Sequence, residues 1–342
     1  MKRNLCASLV IITFVLSMLA MVSGPVSAQD QVIKLKYANF FPPAHKISKL
    51  GEEYCKEIEK RTNGKVKITY FPGNTLTPAP QTYDSVINGI SDIGQSIFIY
   101  STGRFPLSDV LNYPIGIKTG LQATRLANAF YNKFKPKEMA DTHILYLHGH
   151  GPALVMTRKF IKSLDEIKGV RIKASGTSGD VIKAYGGIPV TMPIPETYDA
   201  LNKGLADGII LPIETLKNWK FADYIKCLVY NYGVGLSNSM FVTMNQKKWD
   251  SLPKDVQKVF EDVSAEWIDK QGRLWDELEK DGLEYAKQKP GFTIVNATPQ
   301  EEAQAKEKMK PIIDDFVKKM KAKGLPGEEA VKFCQDWLAK NP

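Results

Sequence analysis

The sequence predicts an α/β protein made of two similar lobes that face each other across a cleft, and three observations carry that expectation. First, YDSVINGISD, beginning at Tyr83, returns as YDALNKGLAD beginning at Tyr198, with tyrosine, aspartate, glycine and two aliphatic positions at the same offsets. Each copy reads as a short amphipathic helix stopped by a glycine, Gly89 or Gly204, and followed past an acidic turn by an apolar run of strand character. A solenoid would repeat every 20 to 50 residues or so; a repeat of 115 residues implies two domains of similar build. Second, the chain from Val32 reads strand, helix, strand, the order of a βαβ unit. Third, Val256, Phe260, Val263, Trp267, Leu274 and Leu278 keep one apolar face over residues 253–288. A helix of that length reaches roughly 50 Å, more than one small domain requires, so it should span both.

At the N-terminus, Lys2 and Arg3 precede an apolar run over 7–22, and Val26, Ser27 and Ala28 supply the small residues of a cleavage site. Residues 1–28 therefore read as a signal peptide, with a mature chain starting near Gln29. The apolar run is short for a membrane span and is broken by Gly24 and Pro25, and Cys6 lies away from the cleavage site, against a lipid anchor. Removing the 28 leader residues from 342 leaves 314, enough for two domains, with no later segment apolar enough for stable membrane insertion.

The mature chain opens with the alternating strand VIKLKYANFF. After Pro42-Pro43 a helix is predicted over 47–61, with Leu50, Tyr54 and Ile58 at helical spacing and Asn63-Gly64 closing it. KVKITYF is the second strand, and the loop PGNTLTPAP leads to the first copy of the repeat. A helix over 121–133 and the strand HILYLHG complete the first lobe, and ALVMTR begins the second. Ser163 with Glu166 fits a capping box for a one-turn helix ended by Gly169, and the strand VRIKA precedes the second copy. Thr298, Pro299 and Glu301 combine an N-cap, a first-turn proline and a box glutamate for a helix running to residue 323. The implied domains are 29–150 with 238–282, and 151–237 with 283–342, the latter including the C-terminal helices.

A chain 43% hydrophobic and 24% charged has the composition of a globular core, which excludes disorder. Removing Lys2 and Arg3 from the net charge of +9 leaves +7, carried by scattered lysines with no basic run interleaved with aromatics. That pattern speaks against nucleic-acid binding and suits the collection of anionic solutes. Cys55, Cys227 and Cys334 are odd in number and far apart, the pattern of free, buried thiols and not of a disulfide framework or zinc site.

No GxSxG, nucleophile set or phosphate loop is present. His148 and His150 in LHGHG lie two apart on a strand and could point the same way, but no carboxylate or cysteine is close in sequence. We read them as a strand end facing a cleft, with no metal and no cofactor. The turn SGTSGD places Ser175 and Thr177 before a helix start, where free N–H groups suit an anion or a plain cap. In VRIKA, Val170, Ile172 and Ala174 share one face and Arg171 and Lys173 the other. Lys173 stands at the carboxyl end of its strand, where open α/β sheets bind ligands, and is the candidate anchor for a carboxylate. From the first lobe, Asn39, Phe40, Ser96 and Phe98 lie just past strand ends and should line the cleft.

Four stretches in order resemble the DctP-type solute receptors of tripartite ATP-independent periplasmic (TRAP) transporters. They are TNGKVKITYFPGNTL, INGISDIG, SLDEIKGVRIKASG with GGIPVTMPIPETYDALNKGLADG, and MFVTMNQKKWDSLPKDVQ, and they cover nearly all of the mature chain. The resemblance implies a two-lobed periplasmic binding protein fold (type II-like) with a long helix spanning both domains. It further implies hinged closure near residues 151 and 238 on a small organic anion, delivery to a TRAP membrane permease, a periplasmic location and no catalysis.

In that family an arginine at the end of the strand before the SGT-like turn pairs with the ligand carboxylate; here the position is Lys173, which keeps the charge without the planar fork. Arg171 would substitute only with the register shifted by two. The family asparagine before a proline is Leu211 here, and a further family arginine falls near Gly151 and Pro152 unless Arg158 serves. With one charge clamp, Phe40, Phe98, Leu211 and Trp219 would form an apolar pocket, with Trp219 and Asn238 added from the family's cleft contacts. The ligand expected is a monocarboxylate, aromatic or branched. The alternatives are a C4-dicarboxylate receptor, a binding protein for another uptake system or a sensor, and a secreted enzyme using His148, His150 and Glu214.

Overall fold

Short stretches rich in β-branched residues form eleven strands in the computed structural model, which describes residues 32–342. The expected signal segment, 1–28, lies outside the described residues. In chain order the strands are β1 (Ile33–Asn39), β2 (Val66–Phe71), β3 (Ile93–Ile97), β4 (Thr142–Gly149), β5 (Leu154–Thr157), β6 (Arg171–Lys173), β7 (Ile188–Val190), β8 (Gly208–Leu211), β9 (Cys227–Tyr230), β10 (Ser239–Asn245) and β11 (Thr293–Asn296). The helices are α1 (Lys46–Arg61), α2 (Thr82–Ile87), α3 (Gly120–Phe134), α4 (Thr177–Ala184), α5 (Thr197–Asn202), α6 (Thr215–Asn218), α7 (Gln246–Ser251), α8 (Lys254–Lys287), α9 (Pro299–Ala322) and α10 (Gly327–Lys340).

Two sheets result, ordered β2-β1-β3-β10-β4 and β11-β9-β5-β8-β6-β7. In the first, β1 and β3 are parallel and β10 runs antiparallel to β3; in the second, β6 and β8 are parallel and β5 runs antiparallel to β8. The series β2-β1-β3-β10 and β7-β6-β8-β5 are thus equivalent, each closed by a strand that follows a crossover from the other lobe. The repeat seen in the sequence is the joint α2–β3 in one lobe and α5–β8 in the other, with Gly89 and Gly204 at φ 72° and 66°. It extends further upstream than the ten residues: Pro78 and Pro193 each precede a 3₁₀ turn, and Thr82 and Thr197 each turn a buried hydroxyl back to that proline's carbonyl.

Helix α8, 34 residues, packs Trp267, near its middle, against Tyr54 of α1. Its later residues Trp275, Leu278 and Ala286 enter the core that joins the lobes. Gly282 is what permits this approach, because a Cβ there would lie 2.7 Å from the Glu214 Cα and the Ile213 carbonyl oxygen.

Two expectations need correction. The Ser163–Glu166 capping box does not form: Ser163 makes no side-chain cap bond, and Glu166 accepts instead from the Lys162 N–H at 2.8 Å. The box at Thr298–Glu301 forms as expected. The C-terminal helices also do not stay with the second lobe. Ala305 and Met309 of α9 join the second-lobe core, but Phe316 and Met320, with Ala330, Val331 and Cys334 of α10, join the first-lobe core around Leu126 and Phe130. The apolar spacing of α9 is continuous across this change of partner, so sequence periodicity could not reveal it. Cys55, Cys227 and Cys334 are free and buried, as expected.

Candidate functional site

The carboxyl ends of β1, β3, β6 and β8 converge on one cavity between the lobes, the place where a parallel sheet leaves backbone polar groups and loop residues free to meet a ligand. At the end of β1, the Asn39 Oδ1 accepts the Phe41 N–H at 3.0 Å while its amide nitrogen donates to the Tyr70 hydroxyl. This side-chain turn directs Phe40 and Phe41 into the cavity with their rings 4.2 Å apart. From β3 come Ile97, Ile99 and Tyr100, and from β8 come Ile210, Leu211 and Pro212. Trp275 of α8 forms part of the wall, 5.9 Å from the Phe41 ring.

The polar groups in this apolar setting are few. Lys173, at the end of β6, is 2% exposed, lines the cavity, and has no carboxylate or other hydrogen-bond partner among the described residues. Burial alone drives its ammonium down to about 8 from the usual 10.5. His150 follows β4; its Nδ1 lies 2.5 Å from the Gly151 carbonyl oxygen and its Nε2 lies 3.2 Å from the Asn238 Nδ2. Burial, with a smaller contribution from the Lys173 charge, lowers its pKa to about 4, so the ring is neutral. Glu214, 1% exposed, also lines the cavity; its Oε2 meets the His45 Nε2 at 3.1 Å and the Asn218 Nδ2 at 2.9 Å.

Across the cleft the lobes touch. The Ile194 N–H donates to the Tyr100 hydroxyl at 2.8 Å, and His45 of the first lobe meets Glu214 of the second. Gly176, at φ 59°, precedes α4, and a Cβ there would lie 3.1 Å from the Ile99 side chain. This residue accommodates both an unusual backbone angle and a close approach between lobes.

Of the residues singled out from sequence, the cavity brings together Phe40, Lys173, Leu211 and Asn238, and with them His150 and Glu214, which were named for the enzyme alternative. The others are placed elsewhere. Asn39 shapes the turn behind Phe40, and the Ser96 hydroxyl donates to the Ala79 carbonyl at 2.7 Å. Phe98 opens the 3₁₀ turn Phe98–Tyr100 that follows β3 and packs in the first-lobe core 4.9 Å from Phe105 and 5.5 Å from Phe241. The chain leaves the extended conformation after Ile97, and the tighter turn that follows sends Phe98 into the lobe while Ile99 and Tyr100 reach the cavity.

His148 stands behind the Trp275 ring: the indole N–H donates to its Nδ1 at 3.1 Å, and its Nε2 faces the Gln95 amide at 2.9 Å. Burial pushes it to about 3. Ser175 donates to the Met192 carbonyl at 3.1 Å, Thr177 meets the Tyr113 hydroxyl, and Ser178 is the hydroxyl residue at the cavity. Trp219 is half-buried, packed 6.2 Å from Phe41, outside the cavity wall. Arg171 is exposed and paired with Asp207 at 2.9 Å, and Arg158 lies over the Tyr224 ring, so neither brings a second cation to the cavity.

Trp275, Phe41 and Tyr100 were not among the residues read from sequence, and Glu214 entered only in the enzyme alternative. Trp275 continues the apolar stripe of a long helix and reads as core; Phe41 follows the strand alternation into an apparent interior. Only Glu214, an acid two residues past Pro212 in an apolar run, carried a visible signal.

Two α/β lobes around a cavity at their strand ends are the architecture of a periplasmic binding protein. The chain belongs to the DctP family, bacterial extracellular solute-binding protein family 7, whose model matches residues 37–320. It is 32% identical to a TRAP periplasmic solute-binding protein of Desulfovibrio salexigens solved as an open complex, with a TM-score of 0.81 over 90% of this chain and 96% of that one. A TRAP solute-binding protein of Rhodoferax ferrireducens in complex with copurified benzoate is 25% identical, with a TM-score of 0.85 over 90% of this chain and 98% of that one. A monocarboxylate 2-oxoacid-binding periplasmic protein of Nostoc is 26% identical over 225 residues, 63% of this chain and 61% of that protein.

Proposed function

We propose that this chain is an extracytoplasmic receptor that captures a small monocarboxylate, aromatic or branched, and delivers it to a TRAP membrane permease. The observation that carries the reading is the lone ammonium of Lys173, buried without a partner in a cavity walled by Phe40, Phe41, Leu211 and Trp275. A buried charge without a counterion is unfavourable, and a ligand carboxylate removes that penalty while the aromatic walls take up its apolar body. Because the walls come from both lobes, the ligand favours the closed form over the open one, with the crossovers near residues 151 and 238 as hinges. The copurified benzoate of the Rhodoferax relative and the monocarboxylate named for the Nostoc relative support the same class.

A C4-dicarboxylate is disfavoured by the charge count. Lys173 is the single lysine or arginine lining the cavity among the described residues, and Glu214 would repel a second carboxylate. The test is mass spectrometry of material copurified from the native host, followed by calorimetry with benzoate, a branched 2-oxoacid and succinate. Binding of either monocarboxylate with none of succinate is the expected result; succinate binding alone, or no saturable binding of any acid, defeats the proposal.

A further inference from the structure

The cavity has a second pole opposite in kind to Lys173. The His150 Nδ1 faces the Gly151 carbonyl oxygen, which can only accept, so in the neutral ring the proton resides on Nδ1 and Nε2 is an acceptor. The neighbouring Asn238 must therefore present its NH₂ group to Nε2, which fixes the amide orientation. Its other atom, Oδ1, is then a buried acceptor with no hydrogen-bond partner among the described residues. Asn238 is 3% exposed and lines the same cavity as Glu214, whose carboxylate is also acceptor-only when ionised.

A carboxylate cannot satisfy either group, and an apolar ring would leave a buried acceptor without a partner, a costly arrangement. Lys173 matches the anionic end of a ligand; the Asn238 Oδ1 asks for a donor, and Glu214, whose Oε2 already meets His45 and Asn218, adds further acceptor capacity beside it. We infer that the ligand is a carboxylic acid bearing a hydrogen-bond donor, a hydroxy acid, whose hydroxyl is received by Asn238 Oδ1 and the Glu214 carboxylate while its carboxylate meets Lys173. This rests on the carboxylate-receptor reading above and narrows it.

The experiment compares matched pairs by calorimetry on the full mature chain: benzoate with 3-hydroxybenzoate, phenylacetate with mandelate, and propionate with lactate. In at least one pair the hydroxylated acid is expected to bind about ten- to a hundredfold more tightly. In Asn238→Leu and in Glu214→Gln the ratio of the two affinities within that pair should fall toward about threefold or less. Two variants are used so that misfolding of one does not remove the test. Equal binding within every pair, or a preference untouched by both substitutions, overturns the donor assignment but leaves the carboxylate receptor standing. Failure of all six acids to bind overturns both.

Discussion

Replacing Lys173 with methionine should make the ligand-free protein more stable and at the same time unable to hold its ligand. The ammonium is held at about 8 against the usual 10.5. At about 1.36 kcal/mol for each unit of difference, the charged side chain costs the folded, ligand-free state roughly 3 kcal/mol near neutral pH. Methionine fills much of the same volume without the charge, so thermal unfolding should shift upward by about 5 °C or more. Loss of the charge-assisted bond should weaken carboxylate binding by about 1.5 to 3 kcal/mol, or ten- to 150-fold.

The pH dependence follows from the same depressed pKa, with two opposite signs. Between about pH 8 and 10.5 the unfolded chain binds the proton and the folded chain does not, so ligand-free stability rises with pH across that window. Carboxylate affinity moves the other way, falling about tenfold per pH unit above 8. Lys173→Arg, protonated throughout, should flatten the affinity profile. Scanning calorimetry and titration calorimetry from pH 7 to 10 read both quantities. A methionine variant that is less stable than wild type, or that binds equally well, would refute the assignment of Lys173 as an unpaired charge awaiting an anion.

Three further outcomes are expected. His143, His148 and His150 are held neutral by burial at about 4, 3 and 4. The unfolded chain takes up their protons first, so stability should fall as pH drops from 6.5 toward 4, measured by denaturant midpoints. Phe98→Ala should destabilise by about 3 to 5 kcal/mol with ligand affinity retained, whereas Phe40→Ala should lower affinity; loss of affinity in the Phe98 variant alone would contradict its placement in the first-lobe core. Gly282→Val would push α8 off the loop that carries Leu211 and Glu214, costing about 1 to 3 kcal/mol and weakening binding in the same titrations.

Much of this molecule was legible one residue at a time. The repeated helix-to-strand joint, the βαβ opening, the 34-residue helix and the Thr298 capping box are local patterns, set by side-chain periodicity and by the backbone preferences of glycine and proline. That Lys173 would face the space between the lobes was legible too, from its place at the carboxyl end of a parallel strand. Four of the eleven site residues read from sequence line the cavity together.

What tertiary structure alone decided is which face each of the others takes and what it meets there. Phe98 is turned into the first-lobe core by the 3₁₀ turn after β3, and Ser178 lies in the first turn of α4 while Ser175 precedes that helix. Trp275 becomes a cavity wall through the crossing of α8 between the lobes, and α9 changes lobe midway along an unbroken apolar stripe. The Asn238 acceptor exists only because His150, 88 residues away in sequence, fixes its amide. Sequence period determines which residues share a face, but the partner of that face is set by long-range packing.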